Sequence, residues 1–275
     1  RSFFEPRIPR LPWGSGAVGN ARWTGVRVRD LLETAGVKPG AKHLHAIATD
    51  DPPQGSPPFL RSVDLEKALA DAIVAYEMNG EPLPPLHGAP ARLVVPGWAG
   101  NHWMKWLARL SPQPEPAGGH FMEEDYRYPV RPHGPGVLVD PHEMRPITEL
   151  FVKSEITQAP TRARAGVEQK IRGIAWSGAP DMARVEVSED DGATWKRADL
   201  DPEHDPYAWR LWSFRWKPRI AGRIRLFARA TDSRGSVQPR RAVWNPGGYL
   251  YNGWRSVEIV VVPGKIARRK WQVET

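Results

Sequence analysis

Beyond residue 145 the chain is written in short runs of alternating apolar and polar residues, separated by turn formers at spacings near ten. That period is antiparallel β-structure with one face buried. The runs are Val167 to Trp176, Ala183 to Ser188, Thr194 to Asp199, Trp209 to Trp216, Gly222 to Thr231 and Trp254 to Val262. Six short strands with frequent turns predict a β-sandwich of immunoglobulin type. In Gly222 to Ala230 the residues Ile224, Leu226, Ala228 and Ala230 share one face, and Arg223, Arg225 and Arg229 the other. A basic outer face is expected there, either solvated or docked against a partner.

The preceding part reads differently. Val28 to Ala35 is a helix with Leu31 and Leu32 turned inward and Gly36 as its stop. Asp64 to Ala72 is a second, with Ser62 as N-cap and Leu65 and Leu69 one turn apart. Ile73 to Met78 then meets Asn79-Gly80, a strong two-residue hairpin signal. Arg92 to Pro96 is a buried strand. Residues 111 to 147, dense in Pro and Gly, form a long connection. An α+β domain over residues 1–143 is expected, followed by an all-β domain over 144–275, with the boundary between about 140 and 150.

Composition excludes several chemistries. The 275 residues contain no cysteine, so disulfides, thiolate nucleophiles and Cys-ligated zinc are absent from them. His43 and His45 fall on one face of a strand, but no third ligand stands at a spacing that completes a zinc site. No stretch approaches the roughly 20 apolar residues that span a bilayer. The net charge of +8 favours an anionic ligand, an acidic partner or nucleic acid. It is uneven: from Asp205 to Arg241 ten Lys and Arg face two Asp.

The chemistry concentrates in His87-Gly-Ala-Pro-Ala-Arg92-Leu-Val-Val-Pro96-Gly-Trp-Ala-Gly100-Asn-His-Trp-Met-Lys105-Trp-Leu-Ala-Arg109. His87, Arg92, His102, Lys105 and Arg109 gather here around a strand and glycine turns, and Gly97 and Gly100 let backbone approach a ligand closely. A planar Arg and a point-charge Lys suit a phosphate or small oxyanion. A solvated basic surface is the competing explanation.

This stretch, with Ala75-Tyr-Glu-Met-Asn-Gly80 before it, resembles the molybdopterin domain of the sulfite oxidase family nearly residue for residue. Gly16 to Val26 is similar to the segment after that family's metal-binding loop. Downstream, Ile174-Ala-Trp176-Ser-Gly178, Ala208-Trp209-Arg-Leu-Trp212, Val237-Gln-Pro239 and Trp244 to Trp254 resemble its dimerisation domain. The resemblance covers essentially the whole chain, in the family's order.

The resemblance implies a set of roles. His87, Arg92 and Lys105 match residues that bind the pyranopterin and its phosphate, with Asp50, or its neighbour Asp51, as a further cofactor contact. Arg1 matches the arginine that ends the family's Cys-x-Gly-Asn-x-Arg loop. Trp13 fits a pocket tryptophan if a short gap is allowed, and Tyr126 matches the active-site tyrosine beside the metal. The implied cofactor is Mo-molybdopterin, and the implied reaction converts sulfite to sulfate by oxygen-atom transfer. Electrons would pass to an external cytochrome c-type acceptor, in a periplasmic homodimer with no nucleic-acid partner and no membrane span.

There are two departures. The chain starts at the residue matching the end of the cysteine loop, so the metal's thiolate ligand is not among these residues. Trp244-Asn-Pro-Gly247-Gly248 carries no arginine where animal enzymes place a pocket arginine. A cofactor-free, noncatalytic dimerising remnant, or an enzyme for another small oxyanion such as nitrate, is the alternative. Finally, Ser188-Glu-Asp190-Asp-Gly192-Ala-Thr194-Trp195 fits the Asp-box of sialidases. It occurs once rather than as a repeat, and is expected to be a structural turn.

Overall fold

A computed structural model describes residues 1–49 and 59–264, and divides them into two compact units. The first comprises Arg1–Phe151, Ser177–Pro180 and Arg241–Tyr251; the second comprises Val152–Trp176, Asp181–Arg240 and the described residues from Asn252 on. The units are therefore interleaved along the chain rather than laid end to end. Most regular structure is β, with few and short helices.

The first unit is built on two sheets. One pairs Trp23–Arg27, Ile73–Met78, Glu81–Pro82 and Arg92–Val94; the other pairs Leu60–Asp64, His43–Ala48 and Leu107–Gln113. Helix Val28–Ala35 has the expected bounds and ends where Gly36, at φ 78°, turns its N–H back to Leu32 O. Its inward face is Val28 and Leu32, four residues apart, whereas Leu31 lies about 100° round the helix and is exposed. The expectation for Leu31 is corrected accordingly.

The second helix, Leu65–Asp71, is shorter than expected and is not capped by Ser62. Ser62 belongs to the preceding strand, and its hydroxyl accepts the Ala117 N–H at 3.1 Å. Asn79 and Gly80 both take positive φ (58° and 82°), which closes the hairpin of Ile73–Met78 with Glu81–Pro82. Leu44, Val63, Leu93, Val95 and Met104 join the helix residues in one core. The Pro/Gly-rich connection is only partly irregular: it carries helix His120–Glu123 and a two-strand ribbon, Arg127–Pro129 with Met144–Pro146.

The second unit holds a four-stranded and a five-stranded sheet. The first is ordered Lys153–Gln158, Gln169–Trp176, Arg210–Trp216, Asp199–Leu200. The second runs Arg162–Arg164, Ser256–Val262, Gly222–Asp232, Met182–Ser188, Lys196–Arg197. Ile171, Val185, Trp212, Trp216, Leu226 and Ile259 form a single core from both. A Cβ on Gly173 would lie 2.3 Å from the Trp212 ring, so only glycine lets that indole pack against the strand. The run Thr194 to Asp199, expected as one strand, splits: Lys196–Arg197 pairs in one sheet and Asp199–Leu200 in the other.

Leu226, Ala228 and Ala230 are buried as the alternation requires. The arginines opposite are not a free basic face: Arg223, Arg225 and Arg229 pair with Glu258, Asp191 and Glu186 at 2.5, 2.9 and 2.9 Å. The Asp-box sequence is a turn. Asp190 accepts Ser188 Oγ, Thr194 N and Thr194 Oγ1 at 2.7, 2.9 and 2.5 Å, while Trp195 packs edge-on against Trp254.

Candidate cofactor and anion site

Two clusters form in the first unit. The first lies on the turn that leads into strand Arg92–Val94. Gly88 takes φ 107°, and a Cβ there would lie 2.7 Å from Lys105 Cβ, so the turn is pressed against Lys105. Lys105 Nζ donates to Leu86 O at 3.2 Å and sits 4.1 Å from the centre of the Trp106 ring. Arg92 spans the same turn, donating to His87 O at 2.9 Å and Trp103 O at 3.2 Å, with its guanidinium 4.9 Å from the Trp23 ring. Its Nε is buried without a partner. The exposed His87 lies beside them. His87, Arg92 and Lys105 are thus brought together, Arg92 partly as the brace of the other two.

This donor set suits an anionic cofactor: an imidazole, an ammonium and a guanidinium edge on one turn, with glycine where a side chain would obstruct. It contains no metal ligand set. Among the described residues no three His, Cys, Asp or Glu gather, and His43 and His45 instead meet Asp64 and the Glu115 carbonyl. Asp50 and Asp51, the other expected cofactor contacts, lie outside the described residues.

The second cluster centres on Tyr126, which takes a positive φ of 55°. Its ring lies 5.5 Å from that of Tyr249, and the guanidinium of Arg1 lies 5.1 Å from Tyr249. Arg61 is 5.5 Å from the Tyr126 ring and is wholly buried. Burial, reinforced by Tyr249 and Asp125, holds the Tyr126 phenol above its ordinary value, while Arg61 and Arg1 oppose the shift. The hydroxyl therefore stays a donor through neutral pH. Arg10 donates to Asp125 at 2.8 Å, so that carboxylate is compensated.

Arg61 donates to Phe121 O, and its Nη2 lies 3.2 Å from His102 Nε2. The latter nitrogen donates to Ile147 O at 2.7 Å and so cannot also accept from Arg61. Asn101, with its amide oxygen turned toward Arg61, supplies an acceptor at 2.6 Å instead. Burial first, and Arg61 second, push His102 down to about 3, leaving it neutral.

Arg1 and Tyr126 are therefore joined through Tyr249. Trp13 enters differently from expectation: its indole is exposed, and its carbonyl accepts the Arg1 amino group at 2.9 Å. Sequence reasoning passed over Arg61, Tyr249 and Arg10. For Arg61 a signal existed, since strand parity places it on the same face as buried Val63.

Two family models match the chain. Residues 1–121 match the model of the oxidoreductase molybdopterin binding domain, and residues 144–262 that of the Mo-co oxidoreductase dimerisation domain. The chain is 38% identical to human mitochondrial sulfite oxidase over 93% of its length, covering 49% of that protein. It is 33% identical to barley nitrate reductase [NAD(P)H] over 90%, covering 31% of it. The solved structure of the sulfane dehydrogenase SoxCD from Paracoccus pantotrophus superposes with a TM-score of 0.71 at 32% identity, over 86% of this chain and 60% of that one. The chain spans about half the length of the curated sulfite oxidases it matches.

Fold and comparisons together place the chain in the class built from a molybdopterin binding domain and a Mo-co oxidoreductase dimerisation domain. Within that class, the chain belongs to the sulfite oxidase family, whose cofactor is Mo-molybdopterin.

Proposed function

We propose that this chain forms the cofactor-phosphate and substrate-facing part of a molybdenum enzyme that oxidises sulfite. Sulfite and water give sulfate, two protons and two electrons, and the electrons leave singly to an external c-type cytochrome. The observation that carries the proposal is the joining of Arg1 to Tyr126 through Tyr249, with Arg61 against the opposite partner of the same tyrosine pair.

The bound cofactor supplies the two-electron oxygen-transfer chemistry. His87 and Lys105 would hold its phosphate, with Arg92 fixing their turn. Arg1 offsets the charge of the sulfite oxyanion, and the Trp13 carbonyl anchors the Arg1 main chain beside it. The Tyr126 hydroxyl donates to an anion oxygen, an interaction that strengthens as water is excluded. No thiolate is available from these 275 residues, so the metal's sulfur ligand comes from outside them. We further propose that the second unit is an immunoglobulin-like sandwich that makes a homodimer, and that the enzyme works in the periplasm.

Metal and pterin analysis of the purified full-length protein, with sulfite-dependent reduction of cytochrome c, tests the proposal. Stoichiometric molybdenum with sulfite turnover is expected. Protein that retains molybdenum but reduces nitrate, and not cytochrome c with sulfite, would overturn the substrate assignment.

A further inference from the structure

Arg61 is wholly buried, yet no carboxylate is among the groups that act on it. Its hydrogen bonds go to neutral acceptors, the Phe121 carbonyl and the Asn101 amide, and its Nε is buried with no partner. Burial lowers its pKa only to about 10, so it remains charged at neutral pH. An unneutralised cation inside a protein is costly, and a neutral amide could brace the same carbonyl without that cost. The charge itself needs an explanation.

Tyr126, whose ring lies against it, provides the explanation. The guanidinium lies 5.5 Å from the Tyr126 ring, and Phe59 and His102 close its other sides. The groups that act on Tyr126 are Tyr249, Asp125, Arg61 and Arg1, and Asp125 is already paired with Arg10. At Tyr126 the charges of Arg61 and Arg1 therefore act together, against an Asp125 whose carboxylate is held in its pair with Arg10.

We infer that Arg61 is a positioning residue for anion binding: its unscreened charge, acting through the Tyr126 ring, sets how tightly a small divalent oxyanion is held at that hydroxyl. The inference rests on the proposed function. Arg61 is closed to solvent and does not touch the anion; its field reaches further than in water because little solvent lies between. For a charge several ångströms away at an effective dielectric near 20, the effect on affinity is on the order of tenfold or more.

The test uses the full-length holoenzyme carrying Arg61→Lys, Arg61→Gln or Arg61→Met. Michaelis constants for sulfite are measured alongside the inhibition constant of sulfate, with activity normalised to molybdenum and melting temperatures recorded. Gln and Met should each raise both constants on the order of tenfold, by more than they lower kcat, while Lys should recover most of the affinity. A brace without an electrostatic role would lower the melting temperature and leave both constants unchanged. That outcome, or Lys weakening anion binding as much as Gln, overturns the inference. If Arg61→Met does not fold, the Gln and Lys pair carries the same comparison. Wild-type protein that binds sulfate, measured calorimetrically, but does not oxidise sulfite would defeat the proposed function alone. The calorimetric sulfate affinities of the variants would still decide the role of Arg61.

Discussion

Arg1 lies in the space left by Gly248: a Cβ built on Gly248 would come within 2.6 Å of Arg1 Cγ, at a φ of +63°. The glycine makes room for the arginine that reaches Tyr249. Gly248→Ala should therefore cost about 1–3 kcal/mol in stability through backbone strain and displace Arg1. The expected result is a lower melting temperature and a raised KM for sulfite, with molybdenum content retained. An unchanged KM would separate Arg1 from the anion.

Tyr126→Phe removes one hydroxyl and little volume. In the intact enzyme it should keep molybdenum content and lower kcat/KM by about 2–3 kcal/mol of transition-state stabilisation. Loss of metal in this variant would show that Tyr126 serves the cofactor rather than the substrate.

Arg92→Ala should act in the opposite way. It breaks bonds to the His87 and Trp103 carbonyls and takes a cation off Trp23, so about 2–3 kcal/mol of stability and much of the bound molybdenum should be lost. Whatever holoenzyme remains should turn over nearly normally per molybdenum atom. Full metal occupancy in the purified variant would contradict the role given to this turn.

His102 predicts an acid weakness. Above pH 6.5 the ring is neutral whether folded or unfolded and contributes nothing to pH dependence. As pH falls through 6.5 the unfolded ring gains a proton that the folded one refuses until about 3, so stability declines across that window. The loss is about 2 kcal/mol between pH 6.5 and 5. Urea midpoints at pH 7 and pH 5 should differ less in His102→Gln than in the parent protein.

Asp190 offers a control outside the site. Its three accepted hydrogen bonds hold its carboxyl down at about 2, so their stabilisation is full above the ordinary carboxyl value of 3.8, declines below it and is lost once pH has fallen through 2. Asp190→Ala should lower the melting temperature at neutral pH and leave the KM for sulfite where it was. A change in KM would give this turn a functional role it lacks here.

Local physics made part of this architecture legible. Helix Val28–Ala35, the Asn79-Gly80 hairpin and the alternation in Gly222–Asp232 each follow from periodicity or from one backbone preference. Non-local pairing was not legible. Arg162–Arg164 runs parallel to Ser256–Val262, and no local pattern announces a partner so far along the chain. The charge pairs on Arg223, Arg225 and Arg229 escaped for the same reason, because each carboxylate lies on a different strand or turn. In the site, His87, Arg92 and Lys105 stand close in sequence and were found. Arg61 and Tyr249 meet Tyr126 only through folding.

The interleaving of the two units has a consequence for how the protein is made. Residues Arg241–Tyr251 belong to the first unit, yet they leave the ribosome only after most of the second, all but its last segment with strand Ser256–Val262, has been synthesised. At about 5–20 residues per second, Tyr126 waits roughly 6–25 s for Tyr249 to exist. Until then the nascent first unit has no tyrosine pair, and Arg1 has no ring to rest on. A polypeptide cut anywhere between residues 110 and 240 would hold His87, Arg92 and Lys105 and still lack the Tyr249 wall of the proposed anion pocket.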